Sequence, residues 1–230
     1  MNTEYQHKIC IPVDGAVLEG ELYVPEKPTA LVIFSHGSGS SKLSPRNNFV
    51  AKELQQNGIV TFLFDLLTRE EDKTPTYRFN IPLLTQRLVK VTKWLTSLPL
   101  VSGLPVGYFG ASTGAASALA AAAVLPNVVK AIVSRGGRID LAEPSLALVK
   151  AATLLIVGEH DSEVLYMNRE FSEKLNCRKH LEVVGGASHL FEEPGALEEV
   201  AKISANWFVA QLAEKAKPHE KNTRFMSLFS

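Results

Sequence analysis

Cysteine is scarce in this chain of 230 residues: Cys10 and Cys177 are the only two. Two cysteines build no disulfide framework, and without a CxxC pair or a Cys/His cluster no metal and no cofactor are expected. Long apolar runs are missing as well. No stretch reaches the roughly 18 apolar residues of a membrane helix. The N-terminus, MNTEYQHKIC, lacks the apolar core of a secretory leader, so the cytoplasm is the expected location. Nor does one sign of charge prevail. Lys+Arg and Asp+Glu both total 24, giving a net charge of zero, which argues against nucleic acid or a membrane surface as partner. Internal repeats, low-complexity segments and domain linkers are absent. What remains, 46% hydrophobic and 21% charged, suits a single α/β domain over residues 1–216 with a polar tail, 217–230, expected to fray. Nothing in the sequence speaks to oligomeric state.

Against this background the stretch 104–124, LPVGYFGASTGAASALAAAAV, stands out. A short apolar strand, Val106 to Phe109, leads through Gly-Ala-Ser-Thr-Gly into an alanine-dense helix. Ser112 sits at the centre of G-x-S-x-G. A nucleophile at the apex of a strand-to-helix turn is forced into a strained conformation, and its neighbours two before and two after are squeezed together. The helix that follows points its amides back at the turn, favouring negative charge there. The pattern alone is weak, since glycine usage near 7% produces it by chance in roughly one chain in ten of this length. The rest of the chain must supply a base, an acid and donors.

The remaining elements alternate. Residues 7–13 and 17–24 read as a hairpin about Asp14-Gly15. Leu31 to Phe34 and Ile59 to Phe64 are continuous apolar runs, as expected of strands covered on both faces. A helix is expected from Pro45 to Gln56, a charged loop over 68–78, and an amphipathic helix over 79–98 with Leu84, Leu88, Val91 and Leu95 on one face. Further strands are expected at 128–134, 153–157 and 180–184, and helices at 145–150, 162–175 and 197–213. Such alternation predicts a mostly parallel sheet with an N-terminal antiparallel hairpin and helices on both faces. Ligands bind beyond the carboxyl ends of the strands in sheets of this kind. His36-Gly37-Ser38, Asp65, Ser112, Arg135, Asp161 and His189 each follow a predicted strand.

A serine hydroxyl needs a base, and the base needs a carboxylate to fix its tautomer. His189, in a Gly/Ser loop after the last strand, is the candidate base, and Asp161 is the candidate acid. Asp161 could instead cap the helix beginning at Ser162, and Glu159 or Glu163 could be the acid. His36, His160 and His180 suit the role of base less well. The oxyanion needs two donors. The N–H of Thr113, directly after the nucleophile, and that of Ser38, in the loop after the third strand, are the candidates, with Gly39 next. The GSGSSK stretch lacks phosphate-loop spacing. Arg135, and after it Arg138, could grip an anionic part of the substrate; the alternative is that they pair with Asp140, Glu143 or Asp65 and brace the loop.

Over about Leu31 to Phe208 the chain resembles the α/β-hydrolases of the dienelactone hydrolase-like group, on the motifs GASTG, GEHD and GASHLF. The stretches SHGSGSSKLSPRN, VSRGGR and GASHLFEEPGALEEV resemble a bacterial serine-nucleophile subgroup of hydrolases. The order Ser112, Asp161, His189 is that of the superfamily. The resemblance implies the α/β-hydrolase fold and a serine esterase acting on a small-molecule ester through an acyl-enzyme. Dienelactone hydrolases themselves carry cysteine as nucleophile, so lactone specificity is not implied. Related domains occur fused to a phosphoribosyltransferase, which no residues here are expected to form. The segment 135–152 is too short for a sizeable cap domain, so an open site is expected. Two other readings stay open: a thioester, amide or peptide hydrolase on the same triad, and a non-catalytic protein of this fold that binds a ligand or partner.

Overall fold

A computed structural model describes residues 5–213; the tail over 217–230 lies outside the described residues. Strands β1 (Tyr5–Val13) and β2 (Ala16–Val24) pair antiparallel about Asp14 and Gly15, whose φ values of 52° and 79° are those a two-residue hairpin turn demands. β2 also pairs antiparallel with β4 (Ile59–Phe64). From there every pairing is parallel, through β3 (Ala30–Ser35), β5 (Val106–Ala111), β6 (Val129–Arg135), β7 (Ala152–Gly158) and β8 (Lys179–Val184). The eight strands run in the order β1-β2-β4-β3-β5-β6-β7-β8. This is the α/β-hydrolase arrangement.

The apolar runs of β3 and β4 are buried along their whole length because both faces are covered. Leu31 and Ile33 join one core with α3 (Ile81–Ser97) and α4 (Thr113–Val124), through Leu84, Leu88, Leu95 and Leu119. Val32 and Phe34 join the other, beneath α1 (Pro45–Gln56) and α7 (Ala196–Leu212), through Val50, Leu54, Ala205 and Phe208. Alanine makes α4 thin enough to lie close to the sheet; it is buried from Thr113 through Ala122. Two hydroxyl pairs fasten these layers. Ser35 Oγ lies 2.8 Å from Ser117 Oγ, and Thr92 Oγ1 2.7 Å from Tyr108 Oη.

The segment 68–78 is more ordered than the expected loop. It holds a 3₁₀ turn (Glu71–Lys73) and a short helix, α2 (Pro75–Arg78). The cause is Arg87 on α3, itself buried, which grips Glu71 through two hydrogen bonds of 2.7 and 2.6 Å and donates a third to Leu66 O. Those bonds hold the Glu71 carboxyl near a pKa of about 2. The helix expected over 145–150 lies earlier: a 3₁₀ turn spans Ile139–Ala142, and α5 spans Glu143–Leu146, with Pro144 in its first turn. The helix beginning at Ser162, α6, ends at Ser172 rather than 175. Among the described residues no helix is long and apolar enough to cross a membrane, and no cluster of three or more His, Cys, Asp or Glu could hold a metal ion.

Candidate active site

β5 ends at Ala111 and α4 begins at Thr113, so Ser112 alone makes the turn. Its φ of 51° and ψ of −122° fall where a residue with a Cβ is strained, at a cost of about 1–3 kcal/mol. The surroundings hold it there. Its N–H donates to Arg135 O at 3.1 Å, and its carbonyl accepts from Ala115 N and Arg138 N, both at 3.1 Å. The flanking glycines answer to a close approach of backbones. A Cβ on Gly114 would stand 2.1 Å from Ser35 O, and one on Gly110 would stand 2.5 Å from Ala115 Cα.

Asp161 lies in the turn after β7, at the N-cap of α6. Its side chain makes no capping bond there. The carboxylate instead turns toward the loop after β8, where Oδ2 stands 2.6 Å from His189 Nδ1. With Nδ1 donating to the carboxylate, the nitrogen left to accept a proton is Nε2. Glu159 points elsewhere, accepting the Gly186 N–H at 2.7 Å, and His180, exposed on the edge strand β8, pairs with Glu182. The His189 loop is braced from below. Phe191, at a φ of 58°, is buried in the core beneath α7, and Glu192 pairs with Arg46 of α1 at 2.9 Å. Hydrogen bonds from Ser188 hold the Glu193 carboxyl below its ordinary pKa.

Ser112, Thr113, Asp161 and His189 line one cleft of about 450 Å³, together with Ser38, Arg138 and Glu163. Phe79, Val164 and Met167 form its apolar wall. Ser112 Oγ makes no hydrogen bond among the described residues. Between β6 and β7 only the turn at 139–142 and the four-residue α5 intervene, so no cap domain stands over the cleft from that segment.

Ser38 and Thr113 do come together, but through a bond the sequence did not suggest. The Ser38 N–H donates to Thr113 Oγ1 at 2.8 Å, not into open space. The loop carrying Ser38 is fixed by His36. Leu66 N–H donates to His36 Nε2 at 3.0 Å, so Nε2 must be the acceptor, and Nδ1–H donates to Gly37 O at 2.9 Å. Burial lowers the pKa of this imidazole from its ordinary 6.5. Sequence reasoning saw His36 only as a poor base. Its position directly before Gly37, at a strand end, was the available signal for a loop anchor. The cleft wall at Phe79 was also missed, because its apolar character reads equally well as the start of a helix.

The two arginines are placed differently. Arg135 is buried and absent from the residues that line the cleft. Its guanidinium lies 6.0 Å from the centre of the Phe191 ring, and burial, then the charge of Arg46, pushes its pKa down to about 10. Arg138 does border the cleft, but its Nε and Nη2 are taken by Asp140 at 2.9 and 2.8 Å. Asp140 was one of the partners named for the bracing alternative. Neither position favours the grip on a substrate anion expected for this pair.

With this geometry in hand, similarity to known proteins becomes informative. A dienelactone hydrolase from Anabaena variabilis ATCC 29413 shares 50% identity and superposes with a TM-score of 0.89, across 91% of this chain and 99% of that one. The chain belongs to the dienelactone hydrolase-like group of α/β-hydrolases. Est1E of Butyrivibrio proteoclasticus, at 17% identity and a TM-score of 0.77 across 90% of this chain and 99% of its own, shares the fold. Two curated Mycobacterium tuberculosis proteins, from strains CDC 1551 / Oshkosh and H37Rv, are 54% identical over 193 residues and bear a provisional phosphoribosyl transferase name. The match takes in 84% of this chain but 44% of each of them, so this hydrolase-family chain spans under half the length of those relatives. No family model matches the chain.

Proposed function

We propose that this hydrolase-family protein is a serine carboxylic-ester hydrolase in which Ser112 is the nucleophile, His189 the general base and Asp161 the orienting acid. The observation that carries the reading is the 2.6 Å contact between Asp161 Oδ2 and His189 Nδ1 in the same cleft as a strained Ser112. Asp161 could have capped α6 and does not. In the first half-reaction Ser112 Oγ bonds to the ester carbonyl carbon while its proton passes to His189 Nε2. The carbonyl π pair moves to oxygen, giving a tetrahedral anion beside the N-terminus of α4. When that anion collapses, the bond to the leaving oxygen breaks and His189 returns the proton to it. Water, activated by the same imidazole, then splits the acyl-enzyme.

The cleft also bears on substrate class. It is open and moderate in size, and its apolar wall of Phe79, Val164 and Met167 suits an uncharged acyl or leaving group. Glu163 at the same cleft adds a negative charge, which disfavours anionic esters. The purified protein should therefore hydrolyse short neutral p-nitrophenyl esters, and Ser112→Ala should reduce kcat by about 10⁴-fold or more. Retention of ester turnover by Ser112→Ala would exclude the assignment.

A further inference from the structure

We propose that the side-chain hydroxyl of Thr113 is itself a donor to the oxyanion, with the Ser38 amide acting through it. This rests on the ester-hydrolase reading above and adds to it a residue that side-chain substitution can test. The starting point is the 2.8 Å bond from Ser38 N–H to Thr113 Oγ1. A hydroxyl carries one proton and two lone pairs. Here a lone pair is filled by the Ser38 amide, and among the described residues no acceptor takes the proton. Thr113 is buried in the wall of the cleft and directly follows Ser112. The one unspent donor on this side chain therefore lies beside the place where the carbonyl oxygen acquires charge.

Three features suit it to the task. Threonine is stiff about χ1, and the Ser38 bond fixes the rotamer further, so the donor is in place before the substrate arrives. An O–H whose oxygen accepts a hydrogen bond is polarised and donates more strongly. Position 113 opens a helix of 12 residues, whose free amides add positive potential at the same point. The hydroxyl transfers no proton. It donates a hydrogen bond that strengthens as the carbonyl oxygen becomes an anion and relaxes when the acyl-enzyme forms. If the Ser38 amide were instead the direct donor, the Thr113 hydroxyl would stand in its way, and removing the hydroxyl would help catalysis.

The two arrangements give opposite results. Thr113→Val keeps the shape and deletes the hydroxyl. It should lower kcat on a neutral ester by about 10- to 10³-fold with little change in KM, the range for one oxyanion donor. Thr113→Ser should restore most of the lost rate. Turnover by Thr113→Val equal to or above wild type would overturn the proposal. A second measurement does not depend on how that variant folds. In a crystal structure of the wild-type protein phosphonylated at Ser112, a phosphonyl oxygen should lie about 2.5–3.0 Å from Thr113 Oγ1. An oxygen bound by the Ser38 amide, with the hydroxyl turned away, would overturn the proposal as well. Wild-type protein that neither turns over esters nor accepts the phosphonate would instead overturn the ester-hydrolase reading, a different and recognisable result.

Discussion

His36 illustrates how much a residue's surroundings decide its chemistry. A histidine beside the candidate active-site cleft invites a catalytic role, yet both its ring nitrogens are committed to backbone groups of two loops. Because burial lowers its pKa below 6.5, the unfolded chain takes up a proton before the folded one does. Its contribution to stability is therefore complete above about pH 6.5 and declines as the pH falls below that value. Nitrogen-15 NMR of the imidazoles should show His36 as the Nδ1–H tautomer at about pH 8, with its protonation midpoint below the ordinary 6.5; a midpoint above 6.5 would contradict this account. At this scale the sequence told a partial story. The placement of Ser112, Asp161 and His189 after strands was legible because strand ends dictate where loops converge. The Ser38–Thr113 bond was not legible, since it depends on a side-chain rotamer and on a loop set by His36. The surroundings of Arg135 depend on Phe191 and Arg46, which only the fold brings near.

The β5–α4 elbow is the element on which the site depends, and its tolerances are small. At Gly114 an added Cβ would meet two carbonyl oxygens, of Ser35 at 2.1 Å and His36 at 2.5 Å. Both belong to backbone, so neither can move aside as a side-chain tip would. Gly114→Ala should therefore lower stability by about 1–3 kcal/mol or more, read as a lower urea midpoint, and should also displace the loop carrying Ser38. An unchanged midpoint would mean that β3 and α4 are less tightly apposed than described. Elements of this kind read clearly from sequence: a strand buried on both faces is a continuous apolar run, and the tight crossing leaves its mark as glycine. The segment 68–78 reads poorly for the opposite reason. Its order comes from Arg87, 16 positions beyond Glu71 and on another helix, and local composition carries no trace of that.

In the whole molecule, the sheet gathers at its carboxyl edge what the chain scatters over residues 36–189. Five parallel strands, β3 to β7, each end in a loop that contributes to or braces the cleft, and β8 delivers the His189 loop. The likeness to the Anabaena variabilis protein extends over nearly all of both chains, so the same edge is shared by a hydrolase family. The central claim is that this edge presents one activated serine. It is tested most directly by incubating the intact protein with a fluorophosphonate and determining its mass, followed by peptide mapping. The account predicts a single adduct, on Ser112, formed much more slowly in Asp161→Asn and not at all in Ser112→Ala. No adduct on the wild-type protein, or an adduct that persists in Ser112→Ala, would contradict it.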